Sequence, residues 1–112
     1  MFLSLDNFRK RLEFGVVSHF INKKEVEEKC RYALESGVGV ICVDPIYVKL
    51  ARSIIGNQDV NLSSNVGFPS GAHLTKVKAL EAKEAVKDGA NQIDMVMSIW
   101  GSPFRQLRRS FK

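Results

Sequence analysis

The 112-residue chain is poor in cysteine, proline and tryptophan, and it has no long apolar run. Two cysteines, Cys30 and Cys42, cannot build a disulfide framework. They form no CxxC and have no matching pair of histidines, so no zinc site or other metal centre is expected. They read as reduced thiols of a cytoplasmic protein. No stretch approaches the ~18 apolar residues of a spanning helix, which excludes a polytopic membrane protein. The opening MFLSLDNFRKRLEF is interrupted by Asp6, Arg9, Lys10 and Arg11, so no signal peptide is expected there. Apolar residues are not scarce: they make up 45% of the chain, which excludes global disorder. The length suits one small domain with a thin core.

Acidic residues are missing from one place in particular. Residues 101–112, GSPFRQLRRSFK, hold Arg105, Arg108, Arg109 and Lys112 and no acid, so this tail carries most of the net charge of +5. Such a tail attracts polyanions. Four charges without an RNA-binding signature do not make nucleic acid an expected partner, and a solvated, disordered terminus accounts for them.

The rest of the chain alternates two kinds of segment. Asn22-Lys23-Lys24-Glu25 has the form of a capping box, in which each end residue serves the other's backbone amide. Val26, Cys30 and Ala33 then recur at helical spacing and Gly37 follows, so a helix is predicted over 23–36. Val38–Val43 is short, apolar and β-branched, as in a strand of a parallel sheet. Asp44-Pro45 restarts a helix as N-cap and first residue, with Val48, Ala51 and Ile55 buried and Gly56 at its end. A strand reads from Val60 to Val66. After the loop Gly67-Phe68-Pro69-Ser70-Gly71, a helix is predicted over 73–88, with Ala79, Ala82 and Val86 buried and Lys76, Lys83 and Lys87 on the other face. Gly89 closes it. The last strand reads from Gln92 to Ile99, with Ile93, Met95, Met97 and Ile99 to one side and Asp94, Val96 and Ser98 to the other. A first strand falls at Leu12–Val17. Alternating strands and helices imply a parallel sheet with right-handed crossovers. A doubly wound sheet and part of a (β/α)8 barrel both fit.

Three features carry candidate chemistry. Asp94 interrupts an apolar strand, and a carboxylate so placed must be paired, hydrogen-bonded or protonated. A catalytic acid and a structural one read the same from pattern. The Gly67–Gly71 loop lies between a strand and a helix, where α/β folds place ligand loops, although it is neither a P-loop nor GxGxxG. Cys42 ends its strand and borders either a site or the core. His19 and His73 have no ligand-like partners.

Several blocks together resemble deoxyribose-phosphate aldolases. Ile41-Cys42-Val43-Asp44-Pro45-Ile46-Tyr47-Val48 is similar to that family's second strand and helix start. Val66-Gly67-Phe68-Pro69-Ser70-Gly71 is similar to its loop after strand three. Glu81-Ala82-Lys83-Glu84-Ala85, Asp88-Gly89-Ala90 and Gln92-Ile93-Asp94-Met95-Val96 resemble its third helix and fourth strand. The blocks keep the family's order, over about residues 23–99.

The resemblance implies the N-terminal half of a (β/α)8 barrel. It also implies a class I aldolase that cleaves 2-deoxy-D-ribose 5-phosphate to D-glyceraldehyde 3-phosphate and acetaldehyde, in deoxyribonucleotide catabolism. The family works through a Schiff-base lysine, without metal or cofactor. By the same resemblance Asp94 is the proton donor and acceptor. Cys42, Gly67, Phe68, Pro69 and Gly71 border the substrate pocket.

The chain departs from the family pattern in three places. Glu13-Phe14-Gly15 stands where an Asp-His-Thr run is usual, Asp44 stands where Asn is usual, and after Ile99 the chain turns into Trp100-Gly101-Ser102-Pro103 and the basic tail. Residues 1–99 are thus read as a partial barrel and 100–112 as a tail of frameshift or premature-stop origin. A full barrel takes about 250 residues, and the family's Schiff-base lysine and the second lysine that lowers its pKa both lie on later strands. Lys76, Lys78, Lys83 and Lys87 are on a helix and do not replace them, so no Schiff-base lysine is expected and the chain alone is expected to be inactive. The expected partners are a phosphorylated sugar, if the barrel is completed, and a second copy through open sheet edges. The competing readings are a non-catalytic interaction module and a small phosphate-ligand-binding α/β domain.

Overall fold

The computed structural model describes residues 4–18 and 20–99. His19 and the 100–112 tail lie outside the described residues. The elements are α1 (Leu5–Arg9), β1 (Glu13–Val16), α2 (Lys23–Ser36), β2 (Val40–Val43), a 3-10 turn (Pro45–Tyr47) running into α3 (Val48–Ile55), β3 (Asn61–Val66), α4 (Thr75–Asp88) and β4 (Gln92–Met95). All strand pairs are parallel, in the order β1-β2-β3-β4. The chain crosses the sheet in one direction, one strand at a time. Among the described residues β1 and β4 each pair on one side only, and no helix is long and apolar enough to cross a membrane.

Strand periodicity divides the sheet into two unlike faces. Residues Val16, Ile41, Val43 and Leu62 point one way and form the core with Val26, Cys30 and Ala33 of α2 and Val48, Ala51 and Ile55 of α3. Glu13, Cys42, Ser63, Asn65 and Asp94 have the opposite parity. A doubly wound sheet would cover that second face with helices. Here it carries polar groups, which is the arrangement of a barrel wall.

The capping box forms as read: the Asn22 side chain accepts from the Glu25 amide at 3.0 Å, and Glu25 accepts from the Asn22 amide at 2.8 Å. Gly37 ends α2 with φ 75°, a conformation in which a Cβ would clash. At Gly39 the reason for glycine is different. A Cβ there would sit 1.8 Å from the Lys10 carbonyl oxygen, because α1 and its exit cross the N-terminal end of the sheet. The Gly39 and Val40 amides both donate to the Leu12 carbonyl.

Four sequence expectations need correction. The helix α1, capped by Ser4 on the Asn7 amide, was not read at all. It buries no residue, so it has no apolar stripe to see. Asp44 stands at the N-cap position but makes no capping bond. Its carboxylate accepts instead from Asn65 Nδ2 at 2.8 Å. Around α4 the buried residues are Lys78 and Ala85, whereas Ala79 and Val86 are exposed and Ala82 is half-buried. An alanine-rich helix has two stripes of similar apolarity, and the fold chose the one whose lysine reaches a strand end. Finally, β4 stops at Met95 rather than Ile99, because β3, its pairing partner, ends at Val66 opposite Met95.

Candidate active site

The polar face of the sheet is built from small and long residues in alternation. Gly15, Cys42 and Ser63 lie side by side in register on β1, β2 and β3, and Asn65 lies beside Asp94 one pleat further on. Gly15 has no side chain, and Ser63 is small. Glu13, two residues before Gly15, therefore reaches over the vacant place, and Asp94 reaches back over Ser63. The result is that ligand-type atoms of Glu13, Cys42 and Asp94 all lie within 4.8 Å of one another. Asp94 is exposed rather than buried in a core, because no helix covers this face.

A neighbouring carboxylate makes a carboxyl hold its proton more tightly. The Glu13 carboxyl is raised above its ordinary value of 4.5, first by burial, then by its hydrogen bond to Asp94 and the negative charge there; a hydrogen bond with Cys42 works in the opposite direction. Burial pushes the Cys42 thiol up to about 12, with Glu13 and Asp94 adding to the effect. The Ser63 hydroxyl lies beside the thiol and favours the thiolate, but it makes no hydrogen bond of ordinary geometry among the described residues. Carboxylates and thiolate are also the ligand types a divalent cation takes.

Of these groups Cys42 and Asp94 border a cleft of about 480 Å³, which Val17, Asn65, Phe68 and Val96 also line. Of the residues singled out from sequence, Asp94, Cys42 and Phe68 meet in this cleft. Gly67 and Gly71 are buried, Pro69 is exposed, and none of the three lines it. The two glycines shape the loop. Both have φ 68°, and the Gly71 amide donates to the Gly67 carbonyl at 2.8 Å. A Cβ on Gly71 would fall 2.3 Å from the Met97 carbonyl oxygen, so the loop lies directly against the exit of β4.

One turn of α4 holds both parts. Glu81 accepts from the Gly67 amide at 2.8 Å. Lys78 is 8% exposed, and its Nζ donates to the Val96 carbonyl at 2.8 Å. Its methylenes run 3.0–3.4 Å from where a Gly67 Cβ would be. Sequence reading missed Lys78 and Glu81 as supports, and it missed Asn65 and Ser63 in the site. Their i, i+3 spacing was the available signal for the first two. For the others there was none, since they read as ordinary polar strand residues.

No protein-family model matches the chain. Individual relatives do. The chain is 38% identical over 96 residues to a deoxyribose-phosphate aldolase of Caldanaerobacter subterraneus subsp. tengcongensis, a match covering 86% of this chain and 42% of that protein. Among solved structures, an aldolase designated QR15 superposes with a TM-score of 0.80 at 36% identity, over 92% of this chain and 45% of that one. A deoxyribose phosphate aldolase from Aeropyrum pernix, described as tetrameric, superposes with a TM-score of 0.82 over 96% of this chain and 50% of its own, at 23% identity; that likeness speaks for the fold. The chain spans less than half the length of the curated relatives it matches. Its four parallel strands and their helices are part of a TIM-barrel aldolase fold. Over the portion that it spans, the chain belongs to the deoxyribose-phosphate aldolase family.

Proposed function

We propose that this chain supplies the acid–base half of a retro-aldol site acting on 2-deoxyribose 5-phosphate, and that it is inactive without a lysine from outside it. The observation that carries the reading is that Asp94 lines the cleft with the Glu13 carboxyl within 4.8 Å of its own. Breaking the bond between C2 and C3 of a 3-hydroxy aldehyde requires two proton movements. A base takes the hydroxyl proton as the new carbonyl forms, and an acid returns a proton to C2 of the other fragment. Two carboxyl groups side by side are suited to serve the two proton movements in turn. Asp94 acts on the substrate in this scheme. Glu13, with its raised affinity for protons, is the group from which Asp94 is resupplied.

Covalent aldol chemistry also needs an amine nucleophile beside the cleft. No lysine lines it. Lys78 is committed to the Val96 carbonyl, and Lys76, Lys83 and Lys87 are exposed on α4. The nucleophile and most phosphate contacts would then come from strands that complete the barrel, as the relatives' greater length allows.

The test is complementation. The chain is incubated with 2-deoxyribose 5-phosphate and borohydride, alone and together with the C-terminal half of the Caldanaerobacter aldolase. Acetaldehyde release and covalent trapping are measured. The chain alone is expected to show neither, and the mixture both. Asp94→Asn should remove acetaldehyde release from the mixture by about 10²–10⁴-fold while trapping persists. Lysine-dependent trapping by the chain alone would overturn the predicted inactivity. Full turnover by the Asp94→Asn mixture would overturn the acid–base assignment.

A further inference from the structure

Glu13, Cys42 and Asp94 offer two carboxylates and one sulfur from three different strands, β1, β2 and β4. Their ligand-type atoms all lie within 4.8 Å of one another. The ligand atoms of a tetrahedral zinc ion, each about 2.0–2.3 Å from the metal, stand about 3.3–3.8 Å apart. Closing onto an ion therefore takes about 1 Å of side-chain movement. Both acids are exposed and have that freedom, while the buried Cys42 is the fixed member. Sequence spacing offers no metal motif here, since the three residues stand 29 and 52 positions apart. Only the strand register brings them together.

Two further observations point to an ion at this place. The first is Ser63, the register neighbour of Cys42 on β3. It is 0% exposed, and its hydroxyl has no hydrogen-bond partner among the described residues. Buried hydroxyls are ordinarily bonded. A protonated thiol is a weak acceptor, whereas a thiolate accepts a charge-assisted bond. Metal binding at Cys42 therefore gives Ser63 the acceptor it lacks. The second observation is space. Gly15 is the register neighbour of Cys42 on β1, and a Cβ built on it would meet no atom within 4 Å. The polar face thus leaves an open place beside the sulfur. The donor set then selects the ion. Magnesium and calcium take oxygen ligands alone, and a thiolate favours zinc. Three protein ligands leave a fourth coordination position. Cys42 and Asp94 both line the large cleft, so that position opens into it.

We propose that Glu13, Cys42 and Asp94 form a zinc site, with the Ser63 hydroxyl donating to the Cys42 sulfur. As the sulfur–zinc bond forms, the thiol proton passes to solvent. The ion ties β1 and β4, the two outer strands of the described sheet, to β2, and so stabilises the fold. Zinc and the acid–base role use the same Asp94 and exclude one another. The inference does not rest on the aldolase reading, and its test reads metal binding by the chain alone.

Cobalt(II), titrated into the reduced full-length chain, tests it. One equivalent should develop a thiolate-to-cobalt charge-transfer band together with the visible bands of a tetrahedral ion. Zinc should displace the cobalt and raise Tm, and magnesium should do neither. Cys42→Ala should abolish the charge-transfer band, and Cys30→Ala, in the core on the other face of the sheet, should keep it. Glu13 is exposed, so Glu13→Gln leaves the fold intact; it should weaken binding at least about tenfold and remove the zinc-dependent rise in Tm. Ser63→Ala should keep the band and weaken binding about tenfold. Absence of the band, or a band that survives Cys42→Ala, would overturn the proposal. So would unchanged affinity in Glu13→Gln, and half an equivalent at saturation would place the ion between two copies instead. Unchanged affinity in Ser63→Ala would refute the role given to that hydroxyl.

Discussion

Lys78→Met is the most informative single substitution in the described fold. The side chain is 8% exposed, and its ammonium makes a 2.8 Å bond to the Val96 carbonyl. A hydrogen bond to a charged group contributes about 1.5–3 kcal/mol, and its loss leaves a carbonyl to find water. Methionine keeps most of the apolar stem that packs over Gly67, so the transfer contribution changes little. The expected net loss is about 2 kcal/mol. For a domain of this size that corresponds to a fall in Tm of about 10 °C. Urea titration followed by circular dichroism measures the first quantity, and a thermal scan the second. Lys76→Met, on the exposed side of the same helix, is the control and should stay within about 0.5 kcal/mol. Equal stability of the two variants would refute the reasoning, since it would mean that the buried ammonium does not hold the end of β4. Amide exchange adds a local readout: in Lys78→Met, protection should fall at Val96, whose amide donates to the Val66 carbonyl, before it falls in α2.

Other substitutions probe the site and its loop. Because the Glu13 carboxyl is raised above 4.5, its contribution to stability is fully present below that pH and is lost as pH rises through the raised value. Glu13→Gln should flatten stability over that acid range, which a series of urea midpoints at different pH would show. Cys42 behaves in the same sense at higher pH. Its thiol contribution is complete below 9.0 and is lost as pH climbs toward about 12; at pH 8 its alkylation by iodoacetamide should be at least about 100-fold slower than that of a free thiol. Gly71→Ala places a Cβ against the Met97 carbonyl at a backbone φ of 68°, and should destabilise by about 1–3 kcal/mol in urea titration.

Much of the architecture was legible because it rests on local rules. Asn22 and Glu25 announce a helix start to any reader of capping chemistry, and Val26, Cys30 and Ala33 turn out buried as their spacing requires. Val48, Ala51 and Ile55 do the same for α3. The failures came where two local solutions were nearly equal. The alanines of α4 offered two faces, and only contact with Gly67 and Val96 selected the one carrying Lys78. Asp44 looked like a helix cap and could have been one, until Asn65 from the next strand competed for its carboxylate.

The amino-acid order alone determined the alternation of strands and helices, the family resemblance and the placing of Asp94 opposite an apolar strand face. Each follows from period, capping and spacing within a few residues. Tertiary structure alone decided that the sheet runs β1-β2-β3-β4 with one uncovered face, and that Glu13 and Asp94, 81 positions apart in the chain, share that face with Cys42. The meeting depends on strand register and on the absence of a side chain at Gly15. Register is set by pairing between strands distant in sequence, which no local pattern encodes.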